Sequence, residues 1–344
     1  MRQDAITCSL LGNLVEHTKT VSQIGASAVP EKPSGLRQTT LKNHIHCSGI
    51  GLHSGNKISM SLYPAEADTG IVFRRVDISG HRAIIPARFD RVTDTRLCTT
   101  LANDDGVKVA TVEHLMAALA GCEIDNVLVE VNGAEVPIMD GSAEPFVFLI
   151  ECAGTVELDA PRRVVQVTRE VSIMEEAGEA SLGPAEIEPS GLTIDLNIDF
   201  KNAVIGQQNL TVTVSSNSFK NEICRARTFG FLEDVEALHQ AGLAQGGSLE
   251  NAVVISGSEV LNEGGLRFKD EFVRHKVLDC IGDLYLAGNP LVGSFSGLRT
   301  GHDLHNKLLR RLFADRSAWN LVPLDEFVEM PTPQWQTEDQ RAIA

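Results

Sequence analysis

The chain has 344 residues, more than one ordinary hydrophobic core organises, and this length predicts two domains, each able to bury about two-thirds of its unfolded surface. Hydrophobic residues make up 43% and charged residues 22%, a mixture that excludes a disordered chain. Thirty Lys and Arg stand against 46 Asp and Glu, a formal net charge of −16 with no basic block; this excludes a nucleic-acid partner, because neutralising phosphates needs a basic face.

In chain order, residues 1–36 read as an N-terminal extension. Asp4, Asn13 and Glu16 break its apolar pieces too finely for the core of a signal peptide, and A-V-P-E-K-P-S-G closes it like a linker. Nowhere do 18 apolar residues run together, so no transmembrane segment is expected. The chain is expected in the cytoplasm, with membrane contact at most peripheral.

A first α+β domain is expected over 37–158. K-I-S-M-S-L-Y (57–63) and G-I-V-F-R-R-V (70–76) alternate as strands. Val112, Leu115, Met116 and Leu119 recur at helical spacing and predict a helix near 111–120 that buries one stripe, with Gly121 placed to end it. N-V-L-V-E-V, Asn132-Gly133 and A-E-V-P-I-M-D-G have the pattern of a β-hairpin, with Pro137 making its second strand an edge.

D-A-P-R-R (159–163) reads as a domain joint, and a second α+β domain is expected over 162–325. It opens on strand-like R-V-V-Q-V-T-R-E-V and L-T-I-D-L-N-I-D-F. Helices follow at 231–241, 271–287 and 302–313. Strand pairs followed by helices in both halves predict two domains of similar topology, each layering helices against β-sheets. Residues 326–344 lack periodicity and read as a loose tail. The seven cysteines are scattered and never paired as C-x-x-C, so they read as reduced, buried thiols, and a metal site would use His and carboxylates.

His275 and Asp279, four apart on the 271–287 helix, share one face and could grip one metal ion, with Asp283 one turn further on; the same spacing also suits a solvated helix pair. By helical geometry His114 points away from the apolar stripe of its helix, toward solvent or another domain, with Glu113 beside it. His302 follows Gly301 near a helix start. Thr228 and Phe229 sit in A-R-T-F-G-F, equally readable as a strand end. His44, His46 and His53 read as exposed strand and turn histidines. Any anionic substrate would need local cations, such as Lys276 or Arg227.

Seven segments then stand in one order: G-I-G-L-H-S-G (49–55), D-T-R-L-C-T-T (94–100), T-V-E-H-L-M-A-A-L (111–119), P-I-M-D-G-S-A-E-P-F (137–146), A-R-T-F-G-F (226–231), L-R-F-K-D-E-F-V-R-H-K-V-L-D (266–279) and S-G-L-R-T-G-H (296–302). Over residues 37 to 325 they closely resemble the UDP-3-O-acyl-N-acetylglucosamine deacetylases of lipid A biosynthesis. The resemblance implies an active site at the interface of the two domains. It implies one catalytic Zn2+ held by His114, His275 and Asp279, with Glu113 as general base, His302 as cationic acid, Asp283 orienting it and Thr228 steadying the oxyanion.

Phe229 and Lys276 would contact substrate. A segment from about 230 to 260, with Leu232, Val235, Leu238 and Leu243, would form an apolar passage for the fatty acyl chain of a UDP-linked acylated amino sugar; its pattern alone suits core packing equally. A monomer is expected. Two departures stand out: His305 occupies a position where the family commonly has Asn and permits a second metal contact, and Thr100 stands where Cys is often found. A zinc amidase for another acetylated sugar, and a non-catalytic nucleotide-sugar or lipid binding protein, are the competing readings.

Overall fold

The computed structural model describes residues 36–185 and 191–325. The expected extension up to residue 35, the expected tail from 326, and Cys8 lie outside the described residues. The architecture is α+β, and among the described residues no helix is long and apolar enough to cross a membrane.

In the N-terminal half, a five-stranded sheet runs in the order Ile45–Ile50, Lys57–Pro64, Val127–Val131, Ile71–Arg75, Ile84–Pro86. The alternation of K-I-S-M-S-L-Y-P buries Ile58, Met60 and Leu62 on one face, as period-two patterning requires. Helices α1 (Glu113–Gly121) and α2 (Glu144–Ala153) contribute to the same core. A separate small sheet, Val92–Asp94, Thr100–Ala102 and Lys108–Val109, carries the D-T-R-L-C-T-T segment.

Two sequence expectations fail here. Asn132-Gly133 does not make a hairpin: Val127–Val131 pairs with Lys57–Pro64 and Ile71–Arg75, and neither turn residue has positive φ. Pro137 has no N–H to give a ladder, and its segment is held instead by single backbone bonds, Val136 to Ala110 and Ile138 to Ile50. Nor does α1 bury one stripe only. Glu113, His114, Ala117 and Ala118 are as buried as Leu115 and Met116, because α5 (Glu271–Tyr285) covers the face left open by the core. Gly282 of α5 makes this possible, since a Cβ there would overlap the Glu113 carbonyl oxygen and stand 3.2 Å from the Ala117 nitrogen.

In the C-terminal half a seven-stranded sheet is organised by Leu291–Leu298, which runs parallel to Arg163–Val167 and Leu192–Asp199 and antiparallel to Gly178–Gly183. Helix α5 packs on Leu192–Asp199 and Gln207–Thr213, and α6 (His302–Ala314) on Val171–Glu175 and Gly178–Gly183. The short α3 turn (Ser216–Ser218) opens with a capping box from Ser215. At the stretch read as a domain joint, Thr155–Pro161 pairs with Arg37–Leu41, and buried Arg162 donates to Asp125.

Segment 229–260 forms a three-stranded sheet, Phe229–Phe231, Val253–Ser256 and Glu259–Val260, beside α4 (Leu232–Gln240). No residue of α4 is buried and Leu232 is 46% exposed, so this helix is not a core helix. No disulfide joins the six described cysteines; Cys98, Cys224 and Cys280 are buried, Cys47 and Cys122 are half-buried, and Cys152 is exposed, against the expectation of burial throughout.

Candidate active site

Helix α1 has an αR residue at its N-terminal boundary and no side-chain cap, so its first turn is free to present Glu113 and His114 toward α5. On α5, His275, Asp279 and Asp283 fall at successive helical turns and line up along the α1 contact. The result is a buried trio, His114, His275 and Asp279, whose donor atoms all lie within 4.8 Å of one another. Asp279 Oδ1 is 3.4 Å from His275 Nε2 and 3.7 Å from His114 Nε2, and the two rings meet edge to face with centroids 4.9 Å apart. Ligands about 2.0–2.1 Å from a tetrahedral zinc lie about 3.3 Å apart, so these separations fit one such ion.

The donor chemistry fits as well. His275 Nδ1–H donates to the Ala226 carbonyl at 3.1 Å, which fixes the tautomer and leaves the Nε2 lone pair facing Asp279. Among the described residues His114 Nδ1 is buried with no hydrogen-bond partner, so no protein group fixes which nitrogen of this ring carries the proton. Burial, reinforced by His275, pushes the His114 pKa down to about 3, and burial lowers His275 too. Both imidazoles are therefore neutral, the metal-binding form, and their contacts with Asp279 are not ion pairs. Burial works against the Asp279 charge, but the Lys276 ammonium outweighs it and holds the carboxyl well below its usual range. Lys276 Nζ donates to Asp279 Oδ2 at 2.8 Å.

A second buried constellation adjoins the first. Asp283 Oδ2 accepts from His302 Nδ1–H at 2.7 Å and from His305 Nδ1–H at 2.8 Å, while Asp283 Oδ1 accepts from the Thr99 hydroxyl at 2.6 Å. Thr99 N–H donates to Glu113 Oε2 at 3.0 Å, so one residue ties the two carboxylates together. Burial raises Glu113 to about 7. Burial disfavours charge on His302, but Asp283 prevails and lifts it to about 9, so that Asp283 and His302 form an ion pair at neutral pH.

Glu113, His114, His275, Lys276, Asp279, Asp283 and His302 are thus brought together from three helices. Thr228 and Phe229 border them. The Phe229 ring stands 6.3 Å from that of His275 and 5.0 Å from that of Phe272, while Thr228 is held by backbone bonds to Gly141 and Val253. Among the described residues the Thr228 hydroxyl makes no hydrogen bond. Arg227 is not available to an anion as expected, since Glu271 and the Gly265 carbonyl engage its guanidinium. Thr99, Thr300 and the Ala226 carbonyl were not anticipated; only their places inside D-T-R-L-C-T-T, L-R-T-G-H and A-R-T-F-G-F pointed to them.

Residues 38–314 match the family model described as UDP-3-O-acyl N-acetylglycosamine deacetylase. The chain belongs to that family. It is 51% identical to the UDP-3-O-acyl-N-acetylglucosamine deacetylase of Marinobacter nauticus over 298 residues, 86% of this chain and 96% of the relative. The enzymes of the same description from Hahella chejuensis and Thioalkalivibrio sulfidiphilus are 50% and 49% identical, over 86% and 85% of this chain and 97% and 94% of their own lengths. The matched family region includes every one of the buried polar residues just described.

Proposed function

We propose that this chain removes the N-acetyl group of UDP-3-O-acyl-N-acetylglucosamine, giving acetate and UDP-3-O-acyl-glucosamine, the committed step of lipid A biosynthesis. One observation carries the reading: two histidines and a carboxylate from distant parts of the chain share a buried point, flanked by a carboxylate that is basic enough to take a proton and an imidazolium that can give one. His114, His275 and Asp279 would hold Zn2+, which when bound supplies Lewis acidity that acidifies water from about 16 toward about 7 and polarises a carbonyl.

Around it, the chain's own groups divide the proton work. Glu113, steadied by Thr99 N–H, takes the proton of the water that attacks the acetamide carbon. His302, with Nδ1–H committed to Asp283, delivers the Nε2 proton to the sugar nitrogen as the C–N bond breaks. Asp283 keeps that ring charged and oriented. The Thr228 hydroxyl, without a partner among the described residues, donates to the developing oxyanion. Lys276, a charged group that among the described residues gives one of its three protons to Asp279, contacts the transition state or a substrate phosphate, and Phe229 packs on the substrate.

The surface-lying α4 and its three-stranded sheet, with Leu232, Val235 and Leu238 unburied, provide the apolar passage for the acyl chain. We read 37–158 and 162–325 as two domains meeting at this site, in a monomer that works in the cytoplasm or at the inner face of a membrane. Acetate release from acylated and non-acylated UDP-N-acetylglucosamine tests the assignment. Strong preference for the acylated substrate is expected; equal turnover of the two defeats the substrate identity.

A further inference from the structure

His302 and His305 lie three residues apart on α6, on one face of the helix, and both rings reach the same oxygen of Asp283. This is more than core filling. His305 is completely buried, and its ring is fixed on three sides: Nδ1–H donates to Asp283 Oδ2 at 2.8 Å, Nε2 accepts from the Thr300 hydroxyl at 3.0 Å, and the Phe295 ring meets it edge to face at 5.7 Å. With both nitrogens engaged in this way the ring is neutral, and burial favours that state.

We propose that His305 is a positioning residue for His302, acting through the Asp283 oxygen that the two rings share. The inference rests on the proton-donor role given to His302 above. Two effects follow from the geometry. The second N–H holds the carboxylate in one rotamer, and with it the His302 ring plane. It also takes up part of the negative charge on Oδ2, so that His302 is held less tightly in its charged form than a carboxylate with a single imidazole partner would hold it. The charged and titratable groups facing His302 are Asp283 and Asp279 of α5, Glu113 and His114 of α1, and His275; of these only Asp283 is also hydrogen-bonded to His305.

The experiment uses the full-length, zinc-loaded chain and follows acetate release against pH. His305→Leu removes the second donor and should move the alkaline limb of kcat/KM upward by about 0.5–1 pH unit while lowering kcat about tenfold, with zinc content unchanged. His305→Asn, whose amide N–H can stand where Nδ1–H stood, should return both to within about twofold of the parent. Equal losses in the two variants with an unmoved limb would mean that His305 only fills space, and overturn the proposal.

Should the Leu variant not fold, 15N-histidine spectra of the unsubstituted protein decide: a neutral His305 with a bare Nε2 at pH 7 supports the shared hydrogen bond, and an imidazolium or the opposite tautomer overturns it. Absence of any alkaline limb in the unsubstituted protein would instead remove His302 as the acid, a failure of the underlying reading that the spectra would register separately.

Discussion

The α-carbon of Gly282 faces the carbonyl of Glu113 across the α1–α5 contact, with no room for a methyl group between them. A glycine in the middle of a helix costs about 1 kcal/mol relative to alanine, so its presence marks a demand that helix propensity does not explain. Here the demand is proximity. The two helices that carry all three candidate metal ligands meet at this residue.

Gly282→Ala should therefore invert the usual sign of a helical glycine replacement. The propensity gain of about 1 kcal/mol is outweighed by overlap with main chain that has no rotamer to move to, and a net loss of about 1–3 kcal/mol is expected. Thermal denaturation reads this, and metal content should fall with it. An unchanged or raised Tm would show that α1 and α5 can separate without harm.

Glu113→Gln retains shape and the acceptor for Thr99 N–H while abolishing the proposed base. Turnover should fall by about 10² or more with zinc content near that of the parent. Normal turnover would take Glu113 out of the proton path.

Removal of metal by a chelator should abolish acetate release, and stoichiometric Zn2+ should restore it. His114→Ala and Asp279→Ala should each lower the zinc retained after dialysis, since three ligands become two. Full retention in both would show that the ion sits elsewhere.

His302 gives a pH signature of defined sign. Its folded pKa is raised from 6.5 to about 9, so the stabilisation it gains from Asp283 is complete below about 6.5 and is lost as pH rises through about 9. Both Tm and kcat/KM should decline over that interval. In His302→Ala the thermal decline over that window should disappear and turnover should fall by about 10² or more. A Tm profile identical to the parent's would separate this histidine from the alkaline effect.

The helices bearing the site were legible because helical periodicity and the four-residue spacing of His275, Asp279 and Asp283 are local properties of sequence. The long-range partners were less so. The sequence put His114 on the polar side of an amphipathic helix; that side is covered by α5, whose own small residue, Gly282, holds the explanation. Asn132-Gly133 carries the local chemistry of a tight turn, yet the strand before it finds its partners at 57–64 and 71–75. Pairing of that range is decided by which apolar faces can be covered together, and no short window contains that information. Thr99 and Thr300 are small polar residues in loops, recognisable only once Asp283 and His305 stand beside them.

Leu291–Leu298 joins strands that begin as far back as residue 163, and the loop that leaves it places His302. Contacts of such wide sequence separation form late, because a long loop must close before they are rewarded. During synthesis, His114 emerges well before the helix carrying His275 and Asp279, and His302, the proposed proton donor, follows still later. A ribosome-bound or truncated chain lacking the last hundred residues therefore has the first histidine of the proposed ligand set but neither its other members nor the proposed acid, and the proposed site can assemble only once the chain has passed His302.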